Sequence, residues 1–95
     1  MNDLDLTRRL KQLRRTVDMF QTDLRHQHLN AELLAEIDTR MEHGIATEPR
    51  CTGLRAPVDA LRESTLAPRA ELYNDTIRAC DKLKDAIEGV VSGLG

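Results

Sequence analysis

From Asp3 to His43 the chain runs without a single Gly or Pro, and through that stretch apolar residues return in alternating steps of four and three. Leu6, Leu10, Leu13, Val17, Phe20, Leu24, Ala31, Leu34 and Met41 fall on one line, with polar Gln27 and Asp38 on the two remaining rungs. Side chains at that spacing share one face of an α-helix. The pattern therefore predicts a single helix over 3–43, a rod of roughly 60 Å at ~1.5 Å per residue. A soluble chain has to cover such a seam, because large contiguous apolar patches are rare on monomeric surfaces.

The ends of the rod carry local signals. Asn2 or Asp3 can cap its start, where a short side-chain oxygen accepts from the unpaired amides of the first turn. At the far end Gly44 can take the left-handed conformation and Ile45 can fold back onto the last turn. One weak point lies inside: Asn30 precedes AELLAEI and would cap a new helix if the rod kinked there. Residues 44–56 hold Gly44, Pro49 and Gly53 and are predicted to be loop. Pro57 suits the first position of a helix over 57–66, since its missing amide would be unpaired there anyway. Pro68 interrupts that helix and starts another over 68–92, which ends in Gly93-Leu94-Gly95.

In this last segment Leu72, Tyr73, Ile77, Cys80, Leu83, Ile87, Val90 and Val91 spread over a face wider than one seam, and a face of that width touches two neighbours. The expected fold is all-α. It is a single domain of 1–95, a long antiparallel hairpin that completes a four-helix bundle as a dimer. If the chain is instead a folded monomer, its first helix must fold back near Asn30 into a shorter four-helix bundle. The predicted partner or oligomer surface is Leu6, Leu10, Leu13, Val17, Phe20, Leu24, Gln27, Leu34 and Met41, joined by Leu72, Ile77, Leu83 and Ile87. Within it polar Gln27 either demands a matching polar group and so sets register, or is simply exposed where the seam frays near Asn30.

Charge is distributed unevenly. Five bases against two acids give +3 over residues 1–15, and five acids against Arg40 give −4 over 31–48. An antiparallel pairing of two first helices would bring these opposite ends together. Arg8, Lys11 and Arg15 form a stripe opposite the Leu6/Leu10/Leu13 seam, with Arg14 at its edge, and such a stripe suits an anionic partner. Against nucleic acid stand the overall charge of −2 and the lack of aromatics interleaved with the bases.

The remaining chemistry is sparse. His26 and His28, two apart, diverge by about 200° on a helix and cannot share one ion; His43 with Cys51 would lack two further donors. No metal, cofactor or small-molecule substrate is expected. Carboxylates at three- and four-residue spacing, such as Glu32/Glu36 and Asp81/Asp85, mark a wet helix face rather than an acid–base pair, so the chain is read as no enzyme. Cys51 falls in the loop and Cys80 more than twenty residues on, too far along a helix for a bridge; Cys51 is expected as an exposed loop thiol and Cys80 as a core residue.

Apolar runs of two or three residues cannot span a bilayer, and MNDLDLTRRL has no signal-peptide core, so a cytoplasmic chain is expected. Its Arg bias is associated with GC-rich bacterial or phage genomes. These features suit a non-enzymatic protein-binding module: a small regulator, inhibitor, adaptor or secretion-type chaperone. Two alternatives stand beside it. One is a nucleic-acid-binding regulator using the basic stripe. The other is a secreted helical hairpin of similar length with a Trp-x-Gly turn, although this chain has no Trp and carries Ile77 four residues after Tyr73 where such proteins have an acid.

Overall fold

In the computed structural model, which describes residues 2–94 apart from the Arg69 side chain, the first helix does not reach His43. Helix α1 spans Asp3–Arg25 and α2 spans Ala31–Arg40, with the chain reversing between them. The reversal is a helix C-terminal cap of the Schellman type. The His28 amide donates to Asp23 O and the Gln27 amide to Leu24 O, both at 2.9 Å. Gln27, at φ 59°, takes the left-handed position that glycine normally fills and is the only non-glycine residue among those described with positive φ. Asn30 then starts α2: its side chain accepts from the Glu32 and Leu33 amides at 3.1 Å and donates to Asp23 Oδ2 at 3.0 Å.

Burial explains why the break wins. A straight helix would carry Ile37 and Met41 away from α1, whereas the reversal leaves them 1% and 6% exposed inside the chain. Covering two such side chains is worth ~1.5–3 kcal/mol each. One left-handed residue costs ~1–2 kcal/mol. The predicted continuity through Asn30 is therefore corrected, and so is the register beyond it. Ala31 is exposed and Ile37, off the expected line, faces the core.

Gly44 does take the left-handed conformation, at φ 91°, within the turn Met41–Ile45 that closes α2. The Ala46 amide bonds back to Met41 O at 2.7 Å and Ile45 is fully buried. Residues 44–56 are more ordered than the loop expected of them. Pro49–Leu54 forms a 3₁₀ turn capped by the Glu48 side chain, and it buries Cys51 and Leu54. Helix α3, Arg55–Ser64, starts two residues before Pro57, which still lies in the first turn where amides have no helical partner. Helix α4, Arg69–Leu94, begins just after Pro68 and continues through Ser92 and Gly93; Gly95 of the expected stop lies outside the described residues.

Helices α1 and α4 lie antiparallel: Arg14 meets Glu88, Asp18 meets Lys84 and Gln21 meets Asp81. Helix α2 packs on α1 and α3 packs on α4, and Arg62 to Asp38 ties α3 to α2. The result is an all-α four-helix bundle of 42 × 19 × 19 Å within one chain, in place of a two-arm hairpin. Its core joins Leu6 to Leu24 of α1 with Ile37, Met41 and Ile45, then Cys51, Leu54, Val58 and Leu61, then Ala79, Cys80, Leu83 and Ile87. The chain's own helices thus cover the seam that, on a straight rod, required a second copy.

Candidate partner-docking face

The residues expected to form an oligomer surface are mostly interior. Leu6, Leu10, Leu13, Val17, Phe20, Leu83 and Ile87 are fully buried in the single chain, Leu24 is 1% exposed, and Met41 is buried. Leu34, Leu72 and Ile77 are half-buried at the edges, and Gln27 is exposed at the reversal. Gln27 thus lies at the turn and off the buried face of α1. The buried polar rung is Gln21, whose Nε2 donates to Ile77 O at 3.0 Å and to Asp81 Oδ1 at 2.7 Å, while its Oε1 accepts from Lys84 Nζ. Thr16 is buried too, and its hydroxyl accepts from Arg40 Nε at 2.8 Å, locking α2 onto α1. Both lie off the periodic line, so the seam alone did not reveal them.

The opposite side of α1 remains open. Leu4, Arg8, Lys11, Arg15 and Met19 step by four, three, four and four, which at 100° per residue confines them to a band of about 80°. Leu4 is 61% and Met19 49% exposed, one at each end of the stripe. Between them Arg8, Lys11 and Arg15 are exposed, and among the described residues none of the three forms an ion pair. Arg14 differs from them. It turns toward α4, with Nε 2.8 Å from Glu88 Oε1. The stripe presents unpaired cations bracketed by apolar anchors, and Leu4 to Met19 spans roughly 22 Å of helix. Sequence reasoning found the cations and missed the anchors, although the same periodicity places all five together.

Beside the stripe an open groove of about 580 Å³ separates α1 from α4. Lys11, Arg14, Arg15 and Asp18 form one wall, and Ile87, Glu88, Val91 and Ser92 the other. Val91 is half-buried there and gives the groove an apolar patch next to basic side chains. Chemically, this arrangement can hold carboxylates along the basic stripe while taking up apolar side chains at Leu4, Met19 and Val91.

Cys51, expected on the surface, is 3% exposed, and burial raises its thiol above the ordinary range. Burial pushes the Cys80 thiol up to about 12. Neither is poised as a thiolate. Arg50 hydrogen-bonds Glu48 and Asp3, which raises its own pKa and lowers that of Glu48, and it pins the 3₁₀ turn to the start of α1. His43 Nδ1 lies 2.6 Å from Thr39 O, and among the described residues no group of three His, Cys, Asp or Glu side chains is placed to hold a metal. Nor is any described helix long and apolar enough to cross a membrane.

Fold and surface together define a small all-α bundle with one unpaired basic, apolar-tipped helix face. No family model, curated protein or solved structure matches the chain.

Proposed function

We propose that the chain is a non-enzymatic protein-binding module that docks through the outer face of α1 onto an acidic partner surface carrying apolar side chains. The stripe Leu4–Arg8–Lys11–Arg15–Met19 carries this reading. Three unpaired cations give complementarity to carboxylates and speed encounter, while two exposed anchors supply apolar area that is desolvated only on binding. A nucleic acid makes poorer use of the same face. Leu4 and Met19 would meet phosphates, the chain carries a net −2, and Phe20, one of its two aromatics, is buried where no base can stack on it. In this reading the chain works as a small regulator, inhibitor, adaptor or secretion-type chaperone. Its free, buried thiols fit a reducing compartment such as the cytoplasm.

The test places a photo-cross-linking amino acid at Leu4 or Met19, and at exposed Ala60 of α3 as a control, in cells of the native source. The expected result is one protein joined from both α1 positions and not from Ala60. Its capture should be lost in Arg8→Gln/Lys11→Gln/Arg15→Gln and should weaken steeply with salt. Capture unaffected by the triple substitution, or cross-links to nucleic acid alone, would refute the proposal.

A further inference from the structure

The segment that reverses the chain is built from residues that are equally at home in a helix. His26, Gln27, His28, Leu29 and Asn30 include no Gly or Pro, and the periodic pattern of α1 continues across them to Met41. The bend is held by a left-handed Gln27 on one side and by the Asn30 cap on the other. Among the described residues the amides of Leu29 and Asn30 donate no hydrogen bond, so the reversal leaves backbone donors to water that a continuous helix would satisfy. A strained, short hinge without helix breakers favours exchange of the element it joins.

The geometry points to a second packing of the same contacts: a domain-swapped dimer in which residues 26–30 become helical and α1 of each chain seats on α2 and α4 of a second copy. The ties that hold α1 against α2 and α4 away from the bend can re-form between chains: Gln21 to Ile77 and Asp81, Lys84 to Asp18, and Arg40 to Thr16. Because α2 runs antiparallel to α1, the two straightened helices cross a twofold axis near residue 28, and the basic start of each lies along the acidic end of the other. The core is unchanged in kind. What differs is the hinge, where relief of the left-handed Gln27 and two new helical amide bonds oppose loss of the Asn30 cap, and the entropy of association, which favours the monomer and makes the balance depend on concentration. This inference is independent of the docking face, which stays outward in both forms.

The full-length chain is refolded from denaturant at micromolar and at millimolar concentration and separated by size with light-scattering detection. A dimer should appear at the higher concentration. In the isolated dimer the amides of Leu29 and Asn30, which donate no hydrogen bond in the monomer, should exchange with deuterium at least about a hundredfold more slowly, because they now lie inside a helix. A dimer formed by surface contact would leave them fast. Asn30→Ala removes the cap in both monomers and should lower the dimer dissociation constant roughly twenty-five-fold. Gln27→Gly relieves the left-handed residue and weakens the straight helix, so it should raise that constant about tenfold or more. Absence of any dimer of Asn30→Ala at millimolar concentration, fast exchange at Leu29 and Asn30 in the dimer, or more dimer with Gln27→Gly would each overturn the inference.

Discussion

Replacing Gln21 tests whether the α1–α4 contact rests on a polar lock as well as on apolar packing. Its side chain is fully buried and bonds three groups of α4. Gln21→Met keeps the volume and removes the hydrogen bonds. The bond to the neutral Ile77 carbonyl contributes about 1 kcal/mol, and those to Asp81 and Lys84 about as much together, because Asp81 is exposed and regains water when released. A loss of roughly 2 kcal/mol follows. Gln21→Ala adds a cavity in the interface, bringing the loss to roughly 3–4 kcal/mol. For a domain of this size each kcal/mol moves Tm by about 4–8 °C, so the two variants should melt roughly 8–16 °C and roughly 12–32 °C below the parent. Urea titration followed by circular dichroism measures both, with Thr22→Ala on the exposed side of the same turn as a control expected within about 0.5 kcal/mol. If Gln21→Met lost less than ~0.5 kcal/mol, the polar lock would be dispensable and the α1–α4 pairing would have to be attributed to Leu6 through Leu24 alone.

Gln27→Gly should stabilise the monomer by about 0.5–1 kcal/mol, read as a higher urea midpoint at dilute concentration, since glycine meets no Cβ clash at φ 59°. The thiols should react with a disulfide reagent at pH 8 only slowly in the folded chain, with Cys80 labelled at the rate of unfolding; rapid native labelling of Cys80 would contradict its burial. Because the folded Cys80 thiol keeps its proton up to about 12 while the unfolded one loses it near 9.0, the unfolded state binds fewer protons between those values, and stability should fall as pH rises through that window. Cys80→Ala should flatten that alkaline limb, at some cost in core packing.

Signals confined to one or two turns were legible in the chain itself. Asn2 caps α1, Gly44 closes α2 with Ile45 folded beneath it, Pro68 separates α3 from α4, and Leu6 to Leu24 form the inner face of α1. Each depends on backbone geometry or on the helical repeat, which neighbouring residues determine without help from distant ones. The repeat also explains the main error. Periodicity from Leu6 to Met41 specifies a face but not what covers it, so it is equally compatible with a rod paired to another copy and with a chain folded onto itself. Asn30 and the polar His26-Gln27-His28 run were the local hint of a reversal, and they were weak because none of these residues forbids a helix.

In the single chain the fold takes the second form. Burial of Ile37 and Met41 against α1 outweighs one left-handed glutamine, and that comparison involves side chains brought together from more than ten residues apart. The same dependence hid Cys51, which is buried because the 3₁₀ turn packs under α4, and Gln21, whose partners lie more than fifty residues away. Leu4 and Met19 share the spacing of the basic stripe, so their face was legible in the sequence; that they stay exposed was fixed by the packing of the opposite face. Sequence alone determined that α1 has an apolar side and a basic side, because both follow from spacing along one helix; the fold decided that the apolar side is covered within the chain and the basic side stays exposed.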